Sequence, residues 1–181
     1  MNALKQIALT RPDFFAGEPD RINQLMREGF YRIHIRKPNA SSHEIETLLQ
    51  AIDPIYYEKL SLHDHFELAC IYELGGIHLN FRNPTPPQPS KHPLIVSRSC
   101  HSLAEVDCVK KDFDYVFLSP IFDSISKQGY TSNFTRAQLI QASQRGLIDE
   151  KVFALGGIND QTIKLLKEMA FGGIAMLGAL W

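Results

Sequence analysis

Short apolar, β-branched runs alternate with amphipathic stretches along almost the whole chain. The runs predict strands at Lys5–Leu9, Tyr31–Ile35, Leu60–Leu62, Gly76–Leu79, Leu94–Ser97, Tyr115–Leu118, Val152–Leu155 and Gly173–Leu177. Several are apolar at consecutive positions, the pattern of a parallel sheet covered on both faces. The stretches between them carry a helical period. Ile22, Leu25 and Met26 form one stripe, with Gly29 placed to stop it. Ser42 opens an S-x-E-I start, and Ile45, Leu48, Leu49 and Ile52 continue until Pro54. Phe66, Ala69 and Leu74 serve a third helix. Ser102 and Glu105 have the spacing of a capping box ahead of Val106 and Val109. Thr135 or Asn133 caps the stretch carrying Leu139 and Ile140. Asn159 caps the last one, with Ile163, Leu166 and Ala170 facing inward.

Alternation of this kind builds βα units around a parallel sheet, an α/β class. Eight strands suit a TIM (β/α)8 barrel, in which closure leaves no exposed edge. An open doubly wound sheet is the alternative topology, because linear alternation carries no information about closure. The segment from Arg82 to Pro93 holds five prolines, so the helix after the fourth strand is expected to be shortened or absent. No helical stretch follows the eighth strand, so the expectation is a barrel without an eighth helix, either minimal or trimmed at its C-terminus, with one domain over residues 1–181.

Composition narrows the function classes. The chain is 44% hydrophobic and 22% charged, an ordinary globular balance. A formal net charge of -1 provides no global basic field for nucleic acid. No run approaches the ~20 apolar residues of a membrane span, and Met1 to Phe15 lacks the layout of a secretory signal. The three cysteines, Cys70, Cys100 and Cys108, show no CxxC spacing. They read as buried free thiols in a reducing cytosol, so the expected location is cytoplasmic. Phe171, Trp181 and the proline-rich segment are candidates to cover a second copy in a homo-oligomer.

In a barrel the chemistry gathers where strands end and βα loops begin. His34, Arg36 and Lys37 end the second strand; His63 and Asp64 end the third; Asn80, Arg82 and Asn83 end the fourth. Ser99 and His101 follow the fifth, and Asp123, Ser124, Ser126 and Lys127 follow the sixth. Gly156 and Gly157 follow the seventh, and Gly178 the eighth. Such cations, hydroxyls and glycine amides suit small phosphorylated ligands. Without a Cβ, the Gly156–Gly157 turn lets backbone amides approach an oxyanion ahead of a helix start. Loops after the last two strands often share a phosphate site in this fold. Arg36 can fork onto two phosphate oxygens. Strand alternation places it with His34 and puts Lys37 on the opposite, helix or solvent side. Asp64 is either a magnesium ligand or a helix N-cap. His43, His65 and His92 read as surface residues, and His78 as a hydrogen-bonded core histidine.

These residues, in this order, resemble the thiamine phosphate synthase (thiamine-phosphate pyrophosphorylase) family. The resemblance runs from Arg36 and Asp64 through Gly76-Ile77-His78-Leu79 and Ser99-Cys100-His101-Ser102. It continues in Ala154-Leu155-Gly156-Gly157-Ile158 and Gly173 to Leu180. Its most specific piece is Ser119-Pro120-Ile121-Phe122-Asp123-Ser124-Ile125-Ser126-Lys127, similar to the family's Gly-Pro-x-Phe-x-Thr-x-Thr-Lys. The resemblance implies that a hydroxymethylpyrimidine diphosphate loses pyrophosphate and that a thiazole phosphate captures the pyrimidine cation. It implies that Arg36, Ser99 and Lys127 hold the diphosphate, and that Ser124, Ser126, Gly156, Gly157, Leu177 and Gly178 hold the thiazole phosphate. It places Asp64 and Asn83 on magnesium and His34 and His63 near the pyrimidine.

The chain departs from the family pattern at defined positions. His34-Ile35-Arg36-Lys37-Pro38 stands for Gln-x-Arg-x-Lys, and His63-Asp64 for Asn-Asp. Asn83 replaces the second magnesium aspartate, and Gly178 a serine. Asn83 and Pro38 point towards the superfamily's thiazole tautomerase, an isomerase that needs no diphosphate. That activity uses a histidine where this chain has Pro120, with His101 or His34 as other acid-base candidates. A catalytically silent binder of thiamine-related phosphates is the third reading on the same scaffold.

Overall fold

All eight predicted runs form strands. A computed structural model describes residues 4–87, 92–123 and 132–181. Its strands are β1 (Lys5–Leu9), β2 (Arg32–Ile35), β3 (Leu60–Leu62), β4 (Gly76–Leu79), β5 (Ile95–Cys100), β6 (Tyr115–Leu118), β7 (Val152–Leu155) and β8 (Gly173–Met176). They close into a barrel in chain order, so the open-sheet alternative is excluded. The registers are parallel, for example Ile33↔Leu60, Leu62↔Ile77, Phe117↔Phe153 and Leu155↔Ala175. β5 differs most from the sequence expectation: it starts at Ile95 rather than Leu94 and continues to Cys100.

The chain divides into two compact units, Ile7–Val96 with Trp181, and Ser97–Leu180 with Met1–Gln6. In the first, α1 (Glu18–Arg27) buries Ile22, Leu25 and Met26. Gly29 stops it, as expected. At φ +91 it supports a Schellman closure, with Gly29 N–H donating to Met26 O at 3.1 Å and Phe30 N–H to Leu25 O at 3.2 Å. α2 (Ser42–Ala51) is capped one residue earlier than the S-x-E-I reading implied. Ser41 and Glu44 form a complete capping box there. α3 (Phe66–Ile71) begins after His65, which is in the left-handed region, and no side chain caps it; Asp64 is therefore not its N-cap. Trp181 Nε1 donates to Leu9 O at 2.7 Å.

In the second unit Ser102 caps α4 (Leu103–Val109), but Glu105 accepts from His101 N–H instead of closing the box. Thr135, not Asn133, caps α5 (Arg136–Gln144), with Gln138 completing the box. The last predicted helix is a 3-10 segment, Ile163–Glu168, preceded by Thr162. Its tighter period puts Leu166 and Met169 inward three residues apart and leaves Ala170 exposed, correcting the α-helical expectation. Among the described residues no helix lies between β4 and β5, and none follows β8. Phe171 and Cys100 are buried, whereas Cys108 is exposed, so the thiols are not all interior. Among the described residues no helix is long and apolar enough to cross a membrane.

Candidate active site

Alternation puts Arg32, His34 and Arg36 on one face of β2, Ser61 and His63 on the matching face of β3, and Gly76 and His78 on that of β4. Adjacent strands are ~4.8 Å apart, so strands two apart in a flat sheet are ~9.6 Å apart. The His34 and His78 ring centroids lie only 5.3 Å apart. The side chains therefore converge on the concave, inner face. His63 stacks on His78 at 4.3 Å, and His34 Nδ1 lies 2.9 Å from His63 Nε2.

All three imidazoles are buried, and burial is the main reason they resist protonation. It holds His34 and His63 well below the ordinary histidine range, with His78 adding to both shifts. Burial, with Arg36 nearby, pushes His78 down to about 3. The rings are therefore neutral at neutral pH. Beneath them Arg32 donates to Leu60 O at 3.0 Å and Ser61 Oγ at 3.2 Å. Gly76 makes room for it: a Cβ there would sit 3.1 Å from Arg32 Nη1 and 2.7 Å from Ile95 O.

Where β2 ends, the buried Thr10 hydroxyl accepts from Arg36 N–H at 2.9 Å and donates to Arg36 O at 3.3 Å. This fixes the backbone of Arg36, whose residue is half-buried. Among the described residues no carboxylate pairs with Arg36; the ion pair of Asp64 is with Arg82. Lys37 turns to the helix side, one of the two sides expected. Its Nζ contacts both Glu18 carboxylate oxygens at 2.7 and 2.8 Å and donates to Asp13 O at 2.9 Å. Both side chains are buried, and burial raises the Glu18 pKa and lowers that of Lys37.

Asp64 stands at the end of β3 inside a ring of donors. Arg82 Nη2 reaches both carboxylate oxygens at 3.0 Å, and Asn83 Nδ2 donates to Oδ1 at 2.7 Å. Asn80 and Asn83 both donate to His63 O, and Asn80 Oδ1 accepts the N–H of Arg82 and of Asn83. Asp64, Arg82 and Asn83 line an open cavity of ≈ 640 Å³ together with Pro38, Ala40 and His65. His65 is half-buried, with Nε2 2.8 Å from Ala40 O, and so is not the surface histidine expected.

The second unit supplies a different set. Ser99 lies within β5, in register with Phe117, rather than after the strand. His101 Nδ1 is 3.1 Å from Ser119 O. Gly156 and Gly157 have φ +97 and +64, and a Cβ on Gly157 would lie 2.6 Å from Asp123 O. Only glycine fits this turn. Ile121 N–H donates to Leu155 O and Phe122 N–H to Gly156 O, strapping the loop after β6 onto the glycines. The pairing Leu155↔Ala175 puts the half-buried Leu177 and exposed Gly178 in the neighbouring strand-end loop. Ser124, Ser126 and Lys127 lie outside the described residues.

Sequence reasoning set His78 aside as a core residue, gave Arg32 no role and did not pair Arg82 with Asp64. The signal for the first two was present: polar residues recur every second position on β2 and continue on the matching faces of β3 and β4.

The thiamine monophosphate synthase family model matches residues 8–180. A crystal structure of thiamine phosphate pyrophosphorylase from Bacteroides thetaiotaomicron superposes with a TM-score of 0.89 at 40% identity, over 98% of this chain and 85% of that one. The thiamine-phosphate synthase of Syntrophomonas wolfei is 26% identical over 89% of this chain and 79% of its own length. That of Halalkalibacterium halodurans is 25% identical over 99% of this chain and 89% of its own. A Pyrococcus furiosus thiamine phosphate pyrophosphorylase, at 21% identity and a TM-score of 0.75, shares the fold. The chain belongs to the thiamine monophosphate synthase family, transferases of thiamine biosynthesis.

Proposed function

We propose that this protein joins hydroxymethylpyrimidine diphosphate to thiazole phosphate and releases pyrophosphate. The pyrimidine C–O bond breaks with its electron pair leaving on pyrophosphate, and the thiazole nitrogen lone pair forms the new C–N bond. Arg36, Ser99 and Lys127 bind the diphosphate and stabilise the charge that grows on it. The Gly156–Gly157 turn, Leu177 and Gly178 receive the thiazole phosphate, with Ser124 and Ser126. His34 and His63, kept neutral by burial, stand on the pyrimidine side.

The observation that carries the reading is the Gly156–Gly157 turn, two glycines at positive φ directly after β7 whose amides no Cβ obstructs. Magnesium is part of the proposal. Arg82 holds a positive charge against both Asp64 oxygens, as a cation would. Asp64 and Asn83 would hold the ion once Arg82 leaves the carboxylate and the Asn83 amide turns Oδ1 inward in place of Nδ2, and the ion would offset diphosphate charge when bound. The enzyme acts in the cytoplasm on small phosphorylated substrates. The relatives reported above are named as synthases, and the tautomerase reading has no histidine at Pro120.

The test is pyrophosphate release and thiamine phosphate formation on mixing the protein with both precursors and magnesium, with Lys127→Ala alongside. The expected result is turnover that falls by about 10²-fold in the variant. Thiazole phosphate that raises the melting temperature without any pyrophosphate release would overturn the synthase reading.

A further inference from the structure

We propose that His34, His63 and His78 form a binding site for a divalent transition-metal ion of the zinc type, separate from the magnesium position at Asp64. One nitrogen from each ring lies within 4.8 Å of the other two, and all three residues are buried. Around an ion with Zn–N distances of 2.0–2.1 Å, tetrahedral ligand atoms are about 3.3 Å apart. His34 Nδ1 and His63 Nε2 are already closer than that, at 2.9 Å.

The ligand chemistry is selective. Imidazole nitrogens suit zinc, cobalt and nickel, whereas magnesium takes oxygen donors. Three protein ligands leave one coordination position open, as in zinc sites that bind a further small molecule. His34 Nδ1 and His63 Nε2 share a hydrogen bond, so one ring shifts its proton to its other nitrogen for both to face the ion. Arg32 and Arg36 lie close enough to act on the rings electrostatically. Their charge opposes a bare cation and favours an anionic fourth ligand such as hydroxide. His34 and His78 lie within β2 and β4, and His63 directly follows β3 with its N–H held by Ile35 O at 3.2 Å.

The test uses the full chain without substrates, so its outcome does not depend on the synthase reading. After chelator treatment, cobalt(II) is titrated in while visible absorption is recorded, and zinc is then added as competitor. The expected result is one equivalent of cobalt with the intense absorption of a four-coordinate site, bleached by zinc. The signal is lost in His34→Gln and in His78→Gln, each checked for native circular dichroism, and is retained in Asp64→Asn. Weak six-coordinate absorption or no binding in the unaltered protein would overturn the proposal, whatever the variants do. So would a signal that survives both histidine substitutions or disappears in Asp64→Asn.

Discussion

Between Ile7 and Val96 the strands turn Arg32, His34, Ser61, His63 and His78 onto the inner sheet face. From Ser97 to Leu180 the corresponding positions hold Ser97 and Ser99 on β5, then the larger Tyr115, Phe117 and Phe153, with Gly173 in register with Phe153. Tyr115 and Phe153 pack with ring centroids 4.9 Å apart. The same period-two alternation thus encloses buried imidazoles and a guanidinium in one unit and aromatic rings in the other. Apolar burial is favourable and undemanding of direction. Buried polar groups stabilise only when each has its partner. The first unit therefore carries chemistry whose geometry must be met, and the second carries packing whose volume must be met.

The sharpest way to break that contrast is to unpair a charge in the first unit. Lys37→Met leaves the Glu18 carboxylate buried without its cation, and about 3–5 kcal/mol of stability is expected to go. Lys37→Met combined with Glu18→Leu should recover most of it. Urea midpoints of the two variants check this.

In the second unit the corresponding test is volume. A Cβ at Gly173 would stand 2.3 Å from Phe153 Cε1 and 2.4 Å from Lys5 O. Gly173→Ala should cost about 1–3 kcal/mol. Adding Phe153→Leu should return only part of this, because the Lys5 carbonyl belongs to the backbone. Thermal melts of the single and double variants separate the two contributions.

A third test is a pH dependence carried by the first unit's histidines. His78 titrates at about 3 when folded, against ~6.5 for an unfolded histidine. Between those values the unfolded chain binds the extra proton. The contribution is fully present above about pH 6.5 and is lost as pH falls towards 3, by up to about 1.4 kcal/mol per pH unit. His34 and His63 are shifted in the same direction and steepen the fall. Unfolding free energies at a series of pH values should show this slope, flattened in His78→Gln.

Strand positions were legible because β-branched runs bounded by turn residues carry a local signal, and helix stripes such as Ile22, Leu25 and Met26 likewise. Local competition was harder to read. Ser41 outcompeted Ser42 as a cap, and Ile163–Glu168 tightened into a 3-10 segment that exchanged Ala170 for Met169. At the candidate site, Arg36, Asp64 and the glycine pair were recognisable singly. Their neighbours were not, because partnership is a matter of register and loop path. Lys37 finds Glu18 on the preceding helix, Asp64 finds Arg82 beyond the next strand, and His78 meets His63 only through the pairing of Leu62 with Ile77.

The central claim is that Arg36 serves the pyrimidine diphosphate and the Gly156–Gly157 turn the thiazole phosphate, and the most direct measurement is KM for each precursor in Arg36→Ala and Gly157→Ala. Arg36→Ala should raise KM for the pyrimidine diphosphate by about tenfold or more and leave that for the thiazole phosphate unchanged, since a charge-assisted hydrogen bond is worth about 1.5–3 kcal/mol. Gly157→Ala should do the reverse. Both variants shifting the same substrate, or neither shifting any, would contradict the account.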